Sequence, residues 1–296
     1  MTKLFLAIFA TFLMVGSAIS QGQVIYNSIP SPGAGNYPSL AFEATSTSEF
    51  GDRLQFAGSA RNLLTVTQTM SSWGCENGTW QSACSTTPGA TFAHPITLKI
   101  YSVGLGNQPG SLLGTFTQTF NIPFRPSADP VHCGSRWYNG TSCFNGYATD
   151  ITFNTGGLLV PTNVIYSISY NTSDYGAAPI GYTAPCHSTA AGCGYDSLNV
   201  ALTGPTTVGV NPSPDDAYLS SLWGGAYCDN GASGVGTFRL DAGCWIGFKP
   251  NTRFAAAYPA TTPDQCKKDG WIARTRADGT AFKNQGDCVS YTNNGK

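Results

Sequence analysis

Apolar and polar residues alternate along LLTVTQTM, residues 63–70, with Leu64, Val66 and Met70 on one face and Thr65, Thr67 and Thr69 on the other. A side-chain period of two marks a strand with one buried face. Gln68 is the one polar residue on the apolar side. The pattern returns in ITLKIYSV, 96–103, with Ile96, Leu98 and Ile100 inward. A turn sequence, GLGNQPG, leads to LLGTFTQTF, 112–120, with Phe116 and Phe120 inward. Two alternating runs joined by glycine, asparagine and proline predict a hairpin. Further strands are expected at 148–154, 163–171, 198–202 and 236–243, separated by long loops. Helical spacing does not develop between residues 21 and 254. The prediction is an all-β chain, an antiparallel two-sheet sandwich of jelly-roll type.

Most cysteines fall in those loops. Lys3 followed by the apolar run 4–15 and by Ala18-Ile19-Ser20 reads as a signal peptide over residues 1–20, which predicts a secreted protein. The run is too short for a bilayer span, which needs roughly 20 residues, so no membrane insertion is expected. Ten cysteines follow, an even number that in an exported chain predicts a disulfide framework. They lie in neighbouring couples, Cys75 with Cys84, Cys133 with Cys143, Cys186 with Cys193, Cys228 with Cys244 and Cys266 with Cys288. Consecutive pairing would staple single loops without tying distant strands together.

Composition narrows the partners. Only 10% of residues are charged, 15 basic against 16 acidic, and nucleic acid, which needs a clustered basic face, is not an expected partner. Gly (35), Pro (18) and 12% aromatics suit short strands and turns. The texture changes after Phe254. Residues 21–254 are expected to form the sandwich, 255–264 (AAAYPATTPD) a linker, and 265–296 a small module closed by Cys266 and Cys288. A piece that small cannot hold a core without such a staple.

The stretches FGDRLQFAGSARNLLTVTQTMSSWGC, HPITLKIYSVG, LLGTFTQTFNIPFRPS and VIYSISYNTSDYGAAPIG together resemble a family of secreted bacterial proteins with a β-sandwich-like domain. The tail's GW followed by FKNQGDCVSY resembles a short cysteine-containing element found at the C-terminus of many exported bacterial proteins. The resemblance implies the fold and export, and carries no catalytic residue with it.

No catalytic motif stands out. The forms G-x-S-x-G and H-E-x-x-H are absent, and His94, His132 and His187 share no pattern. A glycoside-type hydrolase with a noncontiguous Asp or His site is the alternative to a non-enzymatic protein. Asp52, Arg53 and Arg61 read as structural: the carboxylate at a strand entry accepts backbone N–H bonds, with Arg53 or Arg61 as its partner. Asp215 and Asp216, two loop carboxylates, are the candidates for a structural calcium; no other cofactor is expected. Trp80, Trp137, Tyr138 and Trp223 lie in or beside the cysteine loops, where a stapled ring stacks on a sugar at little ordering cost. They are the ligand-binding candidates, with a glycan or cell-envelope polymer as partner. The threonine rows 65, 67, 69 and 115, 117, 119 would form an ice-binding or structural surface if their strands shared a sheet.

Overall fold

A computed structural model describes residues 22–31, 33, 35–80, 83–171, 198–203, 205–276 and 280–294. The expected signal peptide and the Cys186–Cys193 couple lie outside them. The strands are β1 Gln23–Asn27, β2 Ser39–Leu40, β3 Thr47–Gln55, β4 Asn62–Ser72, β5 Thr91–Val103, β6 Pro109–Pro123, β7 Trp137–Tyr138, β8 Cys143–Phe144, β9 Tyr147–Leu159, β10 Asn163–Ser169, β11 Leu198–Thr203, β12 Asp216–Ser221, β13 Arg239–Ala242, β14 Lys249–Pro250, β15 Thr252–Pro259 and β16 Arg274–Thr275. One α-helix, α1, spans Gln285–Asn294.

Two antiparallel sheets face each other. The first runs β1-β15-β4-β9 and the second β3-β10-β5-β6. Lettered B to I along the chain, these eight strands give the orders B-I-D-G and C-H-E-F, which is the jelly roll. The segment between β10 and β15 adds β11 to the free half of β4, and sets β12 beside β3 with β13 outside it. The core lies between the sheets: Val66, Met70, Ile96, Leu98, Ile100, Phe153 and Phe254 are all fully buried. Phe116 and Phe120 pack against it from the edge strand β6.

Alternation in β4 breaks once. A register shift between Leu63 and Thr65 puts Leu63, not Leu64, in the core, as an inserted bulge residue does. Beyond it Gln68 points inward and is satisfied there. Its Nε2 donates to the Asn251 carbonyl at 3.0 Å and its Oε1 accepts from the Tyr166 hydroxyl at 3.3 Å. The threonine rows do not form one surface, because β4 and β6 belong to different sheets. Thr67 and Thr69 are also buried: Thr67 meets the Thr152 hydroxyl at 2.9 Å, Thr69 donates to Asp150 at 2.6 Å, and Thr69 shares a pocket with Ile29 and Tyr37.

The expected linker at 255–264 begins inside a strand. Residues 252–257 of β15 pair with β4 while 253–256 pair with β1, and Ala256 and Ala257 are buried. Small side chains suit a strand with neighbours on both sides, and the same alanines read as a linker when only polarity is scored. The module beyond is docked directly. Its β16 extends β15 in parallel, with Arg274 over the Tyr258 ring at 3.4 Å, and its small core gathers Cys266, Phe282 and Cys288.

Four of the expected disulfides form: Cys75–Cys84, Cys133–Cys143, Cys228–Cys244 and Cys266–Cys288. Such a framework suits an oxidising, extracellular type of compartment. No helix of the described residues is long and apolar enough to cross a membrane.

Candidate functional site

The first two disulfide loops come together at one end of the sandwich. Closure of Cys75–Cys84 and Cys133–Cys143 makes each loop stiff, and a single side chain ties them to one another. Arg125, fully buried at the end of the β6 return, donates from one guanidinium nitrogen to the Ser135 carbonyl at 2.8 Å and from another to the Trp80 carbonyl at 3.4 Å. Its backbone N–H donates to the Gly74 carbonyl at 2.9 Å. Burial among carbonyls pulls its guanidinium down to about 10, because desolvation disfavours the charged form.

Above this frame opens a cleft of about 620 Å³. One wall is Trp73 and Trp80, their rings 5.1 Å apart and nearly perpendicular. The other walls come from Tyr37 and Phe144, with Asn36, Asn145 and Arg136 as polar groups. Trp73 is held in place: its indole N–H donates to the Ser71 hydroxyl at 3.1 Å, and that hydroxyl donates to Asn36 Oδ1 at 2.6 Å. Gly146 allows the approach, since a Cβ there would stand 2.6 Å from the Trp73 indole nitrogen. A half-exposed pair of aromatic rings beside amides and a guanidinium offers a sugar both an apolar face to stack on and polar groups to bond.

Of the four aromatic candidates, only Trp80 lines this cleft. Trp137 lies beneath it, 5% exposed, donating to the Gly146 carbonyl at 2.7 Å and packing on Phe144; its role is to support the floor. Tyr138 turns away, stacked on His132 at 4.8 Å, with its hydroxyl donated to the Gly140 carbonyl. Trp223 follows β12, its backbone N–H tied to the Ser221 hydroxyl and its ring against Gly225. Sequence reasoning missed Trp73, Tyr37, Asn36, Arg136, Phe144 and Asn145. Loop residues have no periodicity to say which way they face, and Asn36 and Tyr37 reach the site from far away in the chain. One signal was there: Arg136 is a rare charge, placed inside a cysteine loop.

The carboxylates are engaged elsewhere. Glu49, on the outer face of β3, accepts from Ser167 Oγ at 2.5 Å, from the Tyr101 hydroxyl at 3.0 Å and from Lys99 at 2.8 Å. Asp52 is buried on the inner face of the same strand. As expected it accepts a backbone N–H, that of Arg53, at 2.8 Å, and it also accepts from Asn211 at 2.6 Å. Its charged partner is neither arginine; it is Lys249, with Nζ 3.7 Å away. Arg53 bonds Asn107, and Arg61 bonds the carbonyls of its own loop. Burial raises the Asp52 carboxyl to about 7 against the opposing influence of Lys249, and lowers the Lys249 ammonium.

The loop proposed for calcium holds that ammonium. Lys249 Nζ donates to the backbone carbonyls of Ser213 and Asp216, while the Asp215 side chain is exposed and that of Asp216 half-exposed. Among the described residues one group of metal-type donors converges, Cys228, Asp241 and Cys244. Its two sulfurs are joined to each other, and Asp241 accepts from the Cys228 N–H and the Trp245 indole. No family model, curated protein or solved structure matches the chain.

Proposed function

We propose that this is a secreted, non-enzymatic sugar-binding protein, with glycans or cell-envelope polymers as its ligand class, and that the Trp73–Trp80 cleft is where it binds them. The observation that carries this reading is the tryptophan pair itself. Two half-exposed indoles stand over a frame fixed by two disulfides and the buried Arg125. An aromatic platform ordered before binding loses little entropy on complex formation, and the amides of Asn36 and Asn145 supply direction for sugar hydroxyls.

The protein, screened on a glycan array, should select a restricted set of oligosaccharides. Trp80→Ala should weaken the selected ligand by about tenfold or more, a loss on the order of 1.4 kcal/mol. Trp223→Ala should leave binding unchanged. Equal binding by the protein and Trp80→Ala would remove the cleft from the account, and release of reducing ends from the bound sugar would replace binding by hydrolysis.

A further inference from the structure

We infer that the saccharide this cleft selects is acidic, a sugar bearing a carboxylate, and that Arg136 is the residue that reads its charge. The inference rests on the sugar-binding reading and adds the chemical class of the ligand. Among the described residues Arg136 is the one charged side chain lining the cleft. Its backbone is pinned inside the Cys133–Cys143 bridge, where the N–H donates to the Cys133 carbonyl at 3.2 Å and the carbonyl accepts from the Asp129 N–H at 2.9 Å. Its guanidinium, by contrast, makes no hydrogen bond or ion pair among the described residues and is exposed. The guanidinium groups of Arg53, Arg61, Arg125, Arg239 and Arg276 are committed to hydrogen-bond partners and that of Arg274 lies over the Tyr258 ring, while Arg253, the other exposed guanidinium without a side-chain bond among the described residues, lines a different pocket. The nearest acids along the chain, Asp129 and Asp150, and Glu76 in the other disulfide loop are likewise committed, Asp150 accepting the Thr69 hydroxyl at 2.6 Å. Asp129 accepts from the Val131 and His132 backbone N–H groups and pairs with the His132 ring at 3.0 Å, and Glu76 accepts the Thr87 N–H.

Arg136 thus stands as a planar, bidentate donor at the mouth of an aromatic cleft that holds no acidic side chain among its described lining residues. That geometry matches a carboxylate held at the edge of a sugar ring. Neutral hydroxyls are already served by Asn36 and Asn145, so the guanidinium adds discrimination between an acid sugar and its neutral counterpart.

Isothermal titration with tetrasaccharides of galacturonate, mannuronate and glucuronate, each beside its carboxyl-reduced counterpart, tests this. At low salt at least one acid should bind about tenfold or more tighter than its reduced form, and the preference should shrink as ionic strength rises. Arg136→Gln, which keeps the backbone bonds and the disulfide, should abolish the preference, so that acid and reduced forms bind alike. Equal affinity for acid and reduced forms, with both lost in Trp80→Ala, would overturn the role of Arg136 while leaving the sugar-binding cleft standing. Binding of neither form, here and on the glycan array, would overturn both.

Discussion

A chain ended after Phe254 is expected to give no soluble, cooperatively melting protein, whereas one ended after Thr261 should fold. The difference is the second half of β15. Residues 255–257 supply the partners of Asn62, Leu63 and Thr65 on β4, and residues 255 and 256 those of Val24 and Gln23 on β1. Removing them unpairs the middle of the first sheet and opens Leu63, which is fully buried. A domain's net stability is only about 5–15 kcal/mol, and the loss of half a central strand exceeds what that margin absorbs. Ending after Thr261 keeps every β15 contact with β1 and β4 and discards only the disulfide-closed module with its own small core. Expression in the soluble fraction followed by thermal melts separates the cases, and a cooperative melt from the Phe254-ended chain would show that β15 is dispensable.

Lys249→Met should lower stability by about 1–3 kcal/mol at neutral pH, the range for leaving buried polar groups unpaired, because a carboxyl that titrates near 7 takes up a proton when its partner is removed. Two carbonyls, those of Ser213 and Asp216, lose their donor, and the Asp52 carboxyl loses its one ion-pair partner among the described residues. The deficit should depend on pH in a stated direction. Burial lifts the Asp52 carboxyl from 3.8 to about 7, so across that interval the folded chain holds a proton that the unfolded chain has released. The Asp52 contribution to stability therefore falls as pH rises from about 4 to about 7, while His94, whose buried imidazole is pushed down to about 4, acts in the opposite direction in both proteins and cancels in their comparison. In Lys249→Met the opposing charge is gone, the carboxyl moves further up, and the fall continues beyond 7. The variant should thus lie closest to the unmodified protein near pH 4, where the carboxyl is neutral in both folded forms. Urea melts of both proteins across this range give the comparison; a deficit independent of pH would mean that Lys249 acts only through its carbonyl bonds.

Much of the sandwich was legible because strands in a two-sheet core obey a period of two. Ile96, Leu98 and Ile100 illustrate it, all inward as the alternation requires. The reading failed where other physics took over. A bulge exchanged Leu63 for Leu64, and alanines packed between neighbours made β15 look like a spacer. Local spacing anticipated the four described bridges, each with a sequence separation of 9 to 22. The Asp52 partner was out of reach for the opposite reason, lying nearly 200 residues along the chain. At the site, composition pointed to four aromatic rings, of which the structure places one, Trp80, in the cleft wall. Only the structure sorts them into a wall (Trp80), a floor (Trp137) and two bystanders (Tyr138 and Trp223).

The indole N–H resonances of the six tryptophans report on the cleft most directly. Titrating the 15N-labelled protein with the oligosaccharide it binds best should shift Trp73 and Trp80 together, with a smaller response from Trp137 beneath them. Trp223, Trp245 and Trp271 should stay in place. Shifts confined to Trp223 or Trp271, or no indole shift at saturating sugar, would contradict the assignment of the cleft as the binding site.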